Sequence, residues 1–334
     1  MLSKILSGAS GVEKLFSTDL YTGNGTSSQI INNIDLASSS GLVMINNRNY
    51  TSGSLCGFWW NKPFLSIGVQ TQHITWWQSS GGTYWSGQQF TIGSFNGNGY
   101  TVTGSDQAYN ASGLNYVAHT FKRAKDFYYD TYSSSVWTSG YTEDYSVTGG
   151  ISTLGMVAMW QTNQTGSTHA YIWHRSCSAN SGFNVSNSTN SPASETNTSS
   201  KFTVSGTTLT LPGDPIWPFG AVFFSVWAHD PNKIVCDEYT GNGSATGPSI
   251  NLGWKPQFLM VKRKTGGNGD WLFYDNVRDS TNPITIKTLQ NLLQGDDTSG
   301  EDVDFNATGF QLKSTSAQIN ANGSSYIYMA VREQ

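Results

Sequence analysis

The chain has 334 residues, of which only 12% are charged, with 18 Lys and Arg against 22 Asp and Glu. Globular chains usually carry about 25% charged residues, so much of the polar surface here is expected to be Ser, Thr, Asn and Gln. A net charge of −4 with scattered Lys and Arg argues against nucleic-acid binding. The longest apolar run, residues 220–228, is far shorter than the roughly 20 residues of a membrane span.

Residues 1–11 precede the first recurring pattern and are predicted to form a short N-terminal arm. Leu2, Ile5 and Leu6 have helical spacing and would anchor this arm on another protein, with a frayed terminus as the alternative. The segment lacks the apolar stretch of a secretory signal, so we expect synthesis in a cytoplasm. The three cysteines have no metal-binding spacing, which argues against a disulfide framework or a zinc site.

Three tandem copies of one unit follow, predicted at residues 12–125, 126–232 and 233–334. The first and third copies share Phe-Asn-x-x-Gly and, further on, Asn-Ala-x-Gly-x-x-Tyr at the same separation. The middle copy is divergent and contains a loop rich in Ser, Thr and Asn at residues 176–200. The residues expected to recur as core and turn positions are Phe95, Gly99, Tyr116, Phe202, Gly206, Phe223, Phe305, Gly309 and Tyr326.

Short segments rich in aromatic and β-branched residues, separated by Gly, Asn and Ser, indicate strands throughout each copy. Asn-Gly pairs supply the positive φ angles of tight hairpin turns. The sequence therefore predicts an all-β fold of three tandem β-sandwich-like repeats of about 105 residues each. Tyr-Thr-Gly-Asn-Gly, at residues 21–25 and 239–243, is expected to be a strand end and turn, with a binding loop as the alternative.

Aromatic residues are concentrated in the first copy, at Trp59, Trp60, Trp76, Trp77, Tyr84 and Trp85. Such side chains are typical of cores and of protein interfaces. A platform for sugar rings is the alternative. Neighbouring residues on a strand point to opposite faces, so one Trp of each pair is expected in the core.

Five carboxylates lie within nine residues, at Asp296, Asp297, Glu301, Asp302 and Asp304. Oxygen-rich clusters bind calcium, but the spacing is not that of an EF-hand loop, and a solvated acidic loop is the simpler interpretation. Residues 262–264, Lys-Arg-Lys, are expected to be a solvated strand end, and His119 a core or interface histidine. No titratable residue recurs at an aligned position, so the sequence predicts neither a catalytic site nor a cofactor.

The third copy also resembles a tandem β-repeat found in virion proteins of tailed bacteriophages, especially marine and cyanobacterial ones. The segments that carry the resemblance are Tyr239–Gly243, Phe258–Lys264, Trp271–Asp275, Phe305–Leu312 and Asn320–Tyr326. Members of that family are usually called tail or fibre proteins. The resemblance implies a virion component and supplies no catalytic residues.

These observations favour a structural protein of a bacteriophage virion, most of all a tail-associated fibre or appendage. It would act in assembly and in contact with the host surface, as a homo-oligomer bound to other virion proteins. A capsid decoration protein on the phage head is one alternative, and a lectin-like module that binds host glycans is another. An enzyme such as a polysaccharide depolymerase would need paired carboxylates in a sugar cleft, and it is the least favoured.

Overall fold

The computed structural model describes residues 14–49, 57–61, 73–76, 93–132, 141–161, 170–184, 196–197, 202–211, 222–292 and 294–334. Short antiparallel strands dominate them, with two helices of four residues each, so the all-β prediction is confirmed. No helix in these ranges has the length and apolar character needed to cross a membrane.

The first group of strands forms a five-stranded sheet and a three-stranded sheet. Their orders are β1-β8-β3-β4-β5 and β2-β7-β6, and every pairing is antiparallel. The elements are β1 (Phe16–Thr22), β2 (Ser27–Ile31), α1 (Leu36–Ser39), β3 (Gly41–Asn47), β4 (Gly57–Asn61), β5 (His73–Trp76), β6 (Gly93–Asn96), β7 (Gly99–Thr103) and β8 (Asn115–Lys122).

The second group repeats this connectivity with one further strand. Its large sheet has the order β14-β13-β12-β11-β17-β9 and its small sheet β10-β16-β15. The elements are β9 (Phe127–Tyr132), β10 (Tyr141–Asp144), α2 (Tyr145–Thr148), β11 (Leu154–Gln161), β12 (Ala170–His174), β13 (Ser181–Asn184), β14 (Thr196–Asn197), β15 (Thr203–Ser205), β16 (Thr208–Leu211) and β17 (Val222–Ala228).

The third group has the same sheet order as the first. The large sheet is β18-β25-β20-β21-β22 and the small sheet is β19-β24-β23. The elements are β18 (Ile234–Thr240), β19 (Ser249–Asn251), β20 (Pro256–Arg263), β21 (Trp271–Asp275), β22 (Lys287–Leu289), β23 (Val303–Asn306), β24 (Gly309–Leu312) and β25 (Ser325–Arg332).

Each large sheet of the first and third groups packs one face against its own small sheet. In the third group, Leu259 and Val261 of β20 share a buried cluster with Phe310 and Leu312 of β24. The first group forms the matching cluster, which includes Val43 of β3 and Tyr100 and Val102 of β7. Successive strand residues face opposite sides of a sheet, so the intervening residues must be buried elsewhere.

Those intervening residues meet in one core that all three large sheets share. Equivalent places on the strands β3, β11 and β20 contribute to this single cluster. At its centre Phe121 lies edge-on to Trp227 at 5.9 Å and to Phe258 at 6.3 Å between ring centroids. The three groups of strands therefore form a compact block around a common centre and do not lie in a line. The inner residues of β3, β11 and β20 are Leu42, Met44, Met156, Ala158, Phe258 and Met260.

Close backbone approach explains why Gly99 and Gly309 match in the sequence. A Cβ atom at Gly309 would lie 1.9 Å from the carbonyl oxygen of Ile250, and one at Gly99 would lie 2.1 Å from that of Ile30. Both distances are far inside van der Waals contact. These glycines allow the small sheet to add its third strand directly against the hairpin.

The middle hairpin does not follow the register predicted from its sequence. The turn-closing pairs are Asn96 with Gly99, Asn306 with Gly309, and Ser205 with Thr208. Val204 therefore occupies the place of Phe95 and Phe305, and the alignment of Phe202 and Gly206 with them was wrong by two residues. Phe202 is nevertheless fully buried, and Gly206 lies inside the turn with φ 60°. The turn fixes a hairpin's register, whereas spacing between aromatic residues does not.

The last strand of the middle group is also displaced, by one residue. Val222 pairs with Gln161, as Tyr116 pairs with Asn47 and Tyr326 with Arg263. Phe223 therefore lies one place beyond the position of the two tyrosines. The alignment of Phe223 with Tyr116 and Tyr326 was wrong because one aromatic residue next to another gives no signal of register.

Candidate functional site

The recurring Tyr-Thr-Gly-Asn-Gly motif is fastened by one buried asparagine. In the third group, Asn320 donates from Nδ2 to the carbonyl oxygens of Ser244 and Ser314, each at 2.8 Å. Its Oδ1 accepts from the backbone N–H of Asn242 at 2.8 Å. Tyr239 and Tyr326 stack beside it with ring centroids 5.1 Å apart. The motif lies where a strand ends and a turn begins, and its polar groups are used within the fold.

The same arrangement occurs in the first group with equivalent residues. Asn110 donates to the carbonyl oxygen of Gly104 at 2.8 Å and accepts from the N–H of Asn24 at 3.2 Å. Tyr21 and Tyr116 stack at 5.1 Å. Since both copies use the same contacts, the motif is a structural clasp between the first and last strands of a large sheet.

Buried polar and charged side chains lie where one large sheet packs against the next. His119 of β8 projects into the shared core, and its Nε2 lies 3.1 Å from Oδ2 of Asp275, at the end of β21. Both side chains are fully buried. Burial lowers the pKa of His119, although its bond to Asp275 opposes the shift. A neutral His119 that donates from Nε2 to the carboxylate fits this environment.

Arg278 supplies the positive charge that Asp275 needs. Its Nε donates to Oδ2 of Asp275 at 2.6 Å, and its side chain is also fully buried. Burial alone would raise the pKa of Asp275, but Arg278 and His119 outweigh it and hold the pKa of this carboxyl well below its usual range. A buried charge is tolerated when it is paired and hydrogen-bonded in this way.

The pair extends outward as a chain of alternating charges. Arg278 Nη1 lies 3.1 Å from Oδ1 of Asp296, and Oδ2 of Asp296 lies 2.7 Å from Nε of Arg48. Arg48 follows strand β3 of the first group, so the chain runs from the first group through the third and back. These ion pairs hold the first and third groups together and fix their relative position more specifically than apolar packing alone would.

His174 occupies the equivalent place in the second group. It ends β12, as Asp275 ends β21, and its Nε2 lies 3.1 Å from the carbonyl oxygen of Tyr328 in β25. The backbone N–H of Ser176 donates to Nδ1 at 3.2 Å, which fixes Nε2 as the protonated nitrogen. Burial lowers the pKa of His174 to about 3. The second group is thus joined to the third through a neutral histidine.

Lys262 lies at the same boundary between the second and third groups. Its Nζ donates to the carbonyl oxygens of Gly269 at 2.8 Å and Arg263 at 3.0 Å, and it lies 5.3 Å from the ring centroid of Phe183. Burial lowers the pKa of Lys262 to about 7, although Asp270 opposes the shift. The prediction of a solvated strand end was therefore wrong for this lysine, which faces the shared core.

The acidic loop is occupied by side-chain cations of the protein itself. Asp296 pairs with the two arginines, and Asp304 lies 3.7 Å from Nζ of Lys313. Nζ of Lys287 lies 3.5 Å from Asp297 Oδ2 and 3.0 Å from Glu301 Oε2. Burial raises the pKa of the remaining carboxyl, Asp302. In the ranges that the structure describes, no three His, Cys, Asp or Glu side chains converge on a metal position, and a calcium ion here would compete with these cations.

The other sequence candidates are placed only in part. Trp59 and Trp60 belong to β4, opposite Met44 and Val43 of β3, and Trp76 belongs to β5. The choice between an interface and a glycan platform for these residues stays a prediction. Lying outside the described residues are Trp77, Tyr84, Trp85 and the proposed anchor Leu2, Ile5 and Leu6.

Sequence reasoning identified His119 as a core or interface histidine but missed its partner and the role of Lys262. The sequence did contain one signal for this boundary, a polar position at which the residue type differs among the three copies. Asn61, His174 and Asp275 each end the strand that follows the first inner strand of their group. The residue type differs at this position because His174 and Asp275 each face a different neighbouring sheet and need a different hydrogen-bonding partner.

Comparison with known proteins assigns the chain to a family. No curated protein matches it. A family described as a domain of unknown function, DUF7483, matches residues 12–334, which include all three groups of strands. Since this match covers nearly the whole sequence, the protein belongs to the DUF7483 family.

Proposed function

We propose that this protein is a non-catalytic structural component of a bacteriophage virion, carried on the tail as part of a fibre or appendage. The observation that carries the proposal is the single core shared by three large sheets of matching strand order. The sequence resemblance to tail and fibre proteins supports the same assignment. Its partners would be other virion proteins and, at the particle surface, the host.

The contacts between sheets run in one direction around the core. His174 of the second group reaches the last strand of the third, and Asp275 of the third group reaches the last strand of the first. Two of the three equivalent places, His174 and Asp275, thus contact the next group in the same direction around the core. A block held together by such directional polar contacts is a rigid unit, and symmetric association of several copies of it would build a homo-oligomer such as a trimeric fibre.

The use of the buried titratable groups supports a role without catalysis. Active sites present titratable side chains to a substrate from a cleft. Here His119, His174 and Lys262 are buried and hydrogen-bonded at boundaries between sheets. These side chains hold neighbouring sheets together, and their burial keeps all three from contact with a ligand.

A capsid decoration protein on the phage head is the second candidate. The compact block favours it, because the described strands cluster around one centre and form no extended shaft. Such a protein would present its loops from the head surface instead of the tail.

The test combines the location on the particle with the mass of the purified chain. Antibody against the chain is applied to intact virions for electron microscopy, with antibody pre-absorbed on the purified protein as the control. Tail label together with a trimer in light scattering supports the fibre assignment. Head label together with a monomer replaces it with decoration. If no particle is labelled, the virion role is refuted, and binding of the chain to glycan arrays becomes the next measurement.

A further inference from the structure

The acidic loop of the third group surrounds a buried lysine, Lys287, whose contacts differ from those of an ordinary ion pair. Lys287 of β22 is fully buried, and its Nζ makes no hydrogen bond of standard geometry, although two carboxylates lie within reach. An ammonium group normally uses its three donors when it is removed from water. We propose that Lys287 and Asp297 are the reactants of a self-catalysed isopeptide bond, with Glu301 as the proton carrier.

The backbone holds the two reactants opposite each other. The N–H of Lys287 donates to the carbonyl oxygen of Asp297 at 3.0 Å, and the N–H of Asp297 donates back to Lys287 at 2.8 Å. Residues paired in this way on antiparallel segments project their side chains on the same side. Nζ of Lys287 accordingly lies 3.5 Å from Oδ2 of Asp297. The amine therefore lies beside the carboxyl group that it would attack, and the backbone pairing holds the two side chains together.

Glu301 is placed to move the protons. Its Oε2 lies 3.0 Å from Nζ of Lys287, and the hydroxyl of Ser299 lies 3.3 Å from the same Oε2 and 2.9 Å from Oδ2 of Asp297. One base therefore contacts the amine directly and the target carboxyl through a bridging hydroxyl. Ser316 also donates to Oε1 of Glu301 at 2.7 Å, which fixes the orientation of the carboxylate.

The chemistry balances without an oxidant or another reactant. A proton passes from the Lys287 ammonium to the Asp297 carboxylate, so a neutral amine faces a neutral acid. Nζ attacks Cγ of Asp297 and the new C–N bond forms, while Glu301 accepts a proton from the attacking nitrogen. Glu301 then returns that proton to the departing hydroxyl. The C–O bond breaks, one water leaves, and Glu301 is regenerated.

The decisive measurement is the mass of the full chain, purified under conditions that preserve the fold. The bond removes one water, so the intact mass is expected to fall about 18 Da below the sequence mass. Trypsin is expected not to cut after Lys287, and fragmentation to find one peptide that joins residues 287 and 297. A full intact mass with normal cleavage after Lys287 overturns the proposal.

Two comparisons within the chain sharpen the test. Glu301→Gln keeps the size of the side chain and removes the base, so this variant is expected at full mass with an unchanged circular dichroism spectrum. If it also loses water, the role assigned to Glu301 is wrong. Lys313 and Asp304, an ion pair at 3.7 Å with greater exposure and no bridging hydroxyl, serve as the internal control. A bond between this control pair as well would show that proximity alone is enough and would refute the assigned mechanism.

Discussion

Acid is expected to weaken the boundary between the second and third groups through His174. The pKa of its imidazole falls from 6.5 to about 3 on folding because the ring is fully buried against Tyr328. Between these values the unfolded chain binds a proton that the folded chain does not, so stability decreases as the pH falls. At 1.36 kcal/mol per pKa unit, His174 alone costs about 5 kcal/mol over the whole window and about 3 kcal/mol between pH 6.5 and pH 4.

The assay is urea unfolding of the wild type and of His174→Gln at pH 7 and pH 4. The glutamine side chain is uncharged at both values and can place its amide N–H near the carbonyl oxygen of Tyr328. Other acid-sensitive groups act equally in both proteins, so they cancel in the difference. The wild type is expected to lose about 3 kcal/mol more than the variant over this interval. Equal losses in the two proteins would refute the assignment of a depressed histidine pKa.

Three further changes test the other buried polar groups by the same unfolding measurement. Lys262 has a pKa of about 7 in the folded chain against 10.5 in the unfolded one, so wild-type stability rises with pH across this window. Lys262→Met is expected to remove about 2 kcal/mol of that rise between pH 7 and pH 9, and an unchanged rise would contradict the burial argument. Asp275→Asn removes the fully buried counter-charge of Arg278, which keeps only Asp296, and is expected to cost about 3 to 5 kcal/mol. The same change at Asp237, an exposed partner 3.9 Å from its arginine, is the control and is expected to cost under about 1 kcal/mol. Asn320→Ala removes the clasp of the third group and is expected to lower stability by about 2 to 4 kcal/mol, and a loss below about 1 kcal/mol would mean that water replaces its bonds.

The all-β fold and the turn motifs were predictable because they depend on local chemistry. Asn-Gly pairs and alternating apolar residues determine strands and turns within a few positions of themselves. The match between Asn110 and Asn320 indicated a shared local structure, and both asparagines hold the same turn. The middle register was not predictable, because Ser205 and Thr208 close its turn, whereas an Asn and a Gly close the equivalent turn in the other two copies.

The contacts between large sheets could not be predicted from the sequence for a different reason. His119 and Asp275 are separated by 156 positions, and their contact depends on how whole sheets pack. The Lys-Arg-Lys run illustrates the same limit, since charge density suggested solvent exposure while the alternation of β20 turned Lys262 inward. Charged residues on an inner face are predictable only once the partner of that face is known.

The packing of the third group against the first also brings the two ends of the described fold together. The side-chain oxygen of Gln334 accepts from the backbone N–H of Leu15 at 2.8 Å and of Phe16 at 3.2 Å. A short linker from residue 334 to residue 14 would therefore allow new ends to be opened elsewhere, for example beside Asn232 in the exposed turn between β17 and β18. In such circular permutants the three groups would follow one another in a different order along the chain. They are expected to fold to the same block, because the packing depends on which groups are in contact around the centre and not on which group is synthesised first.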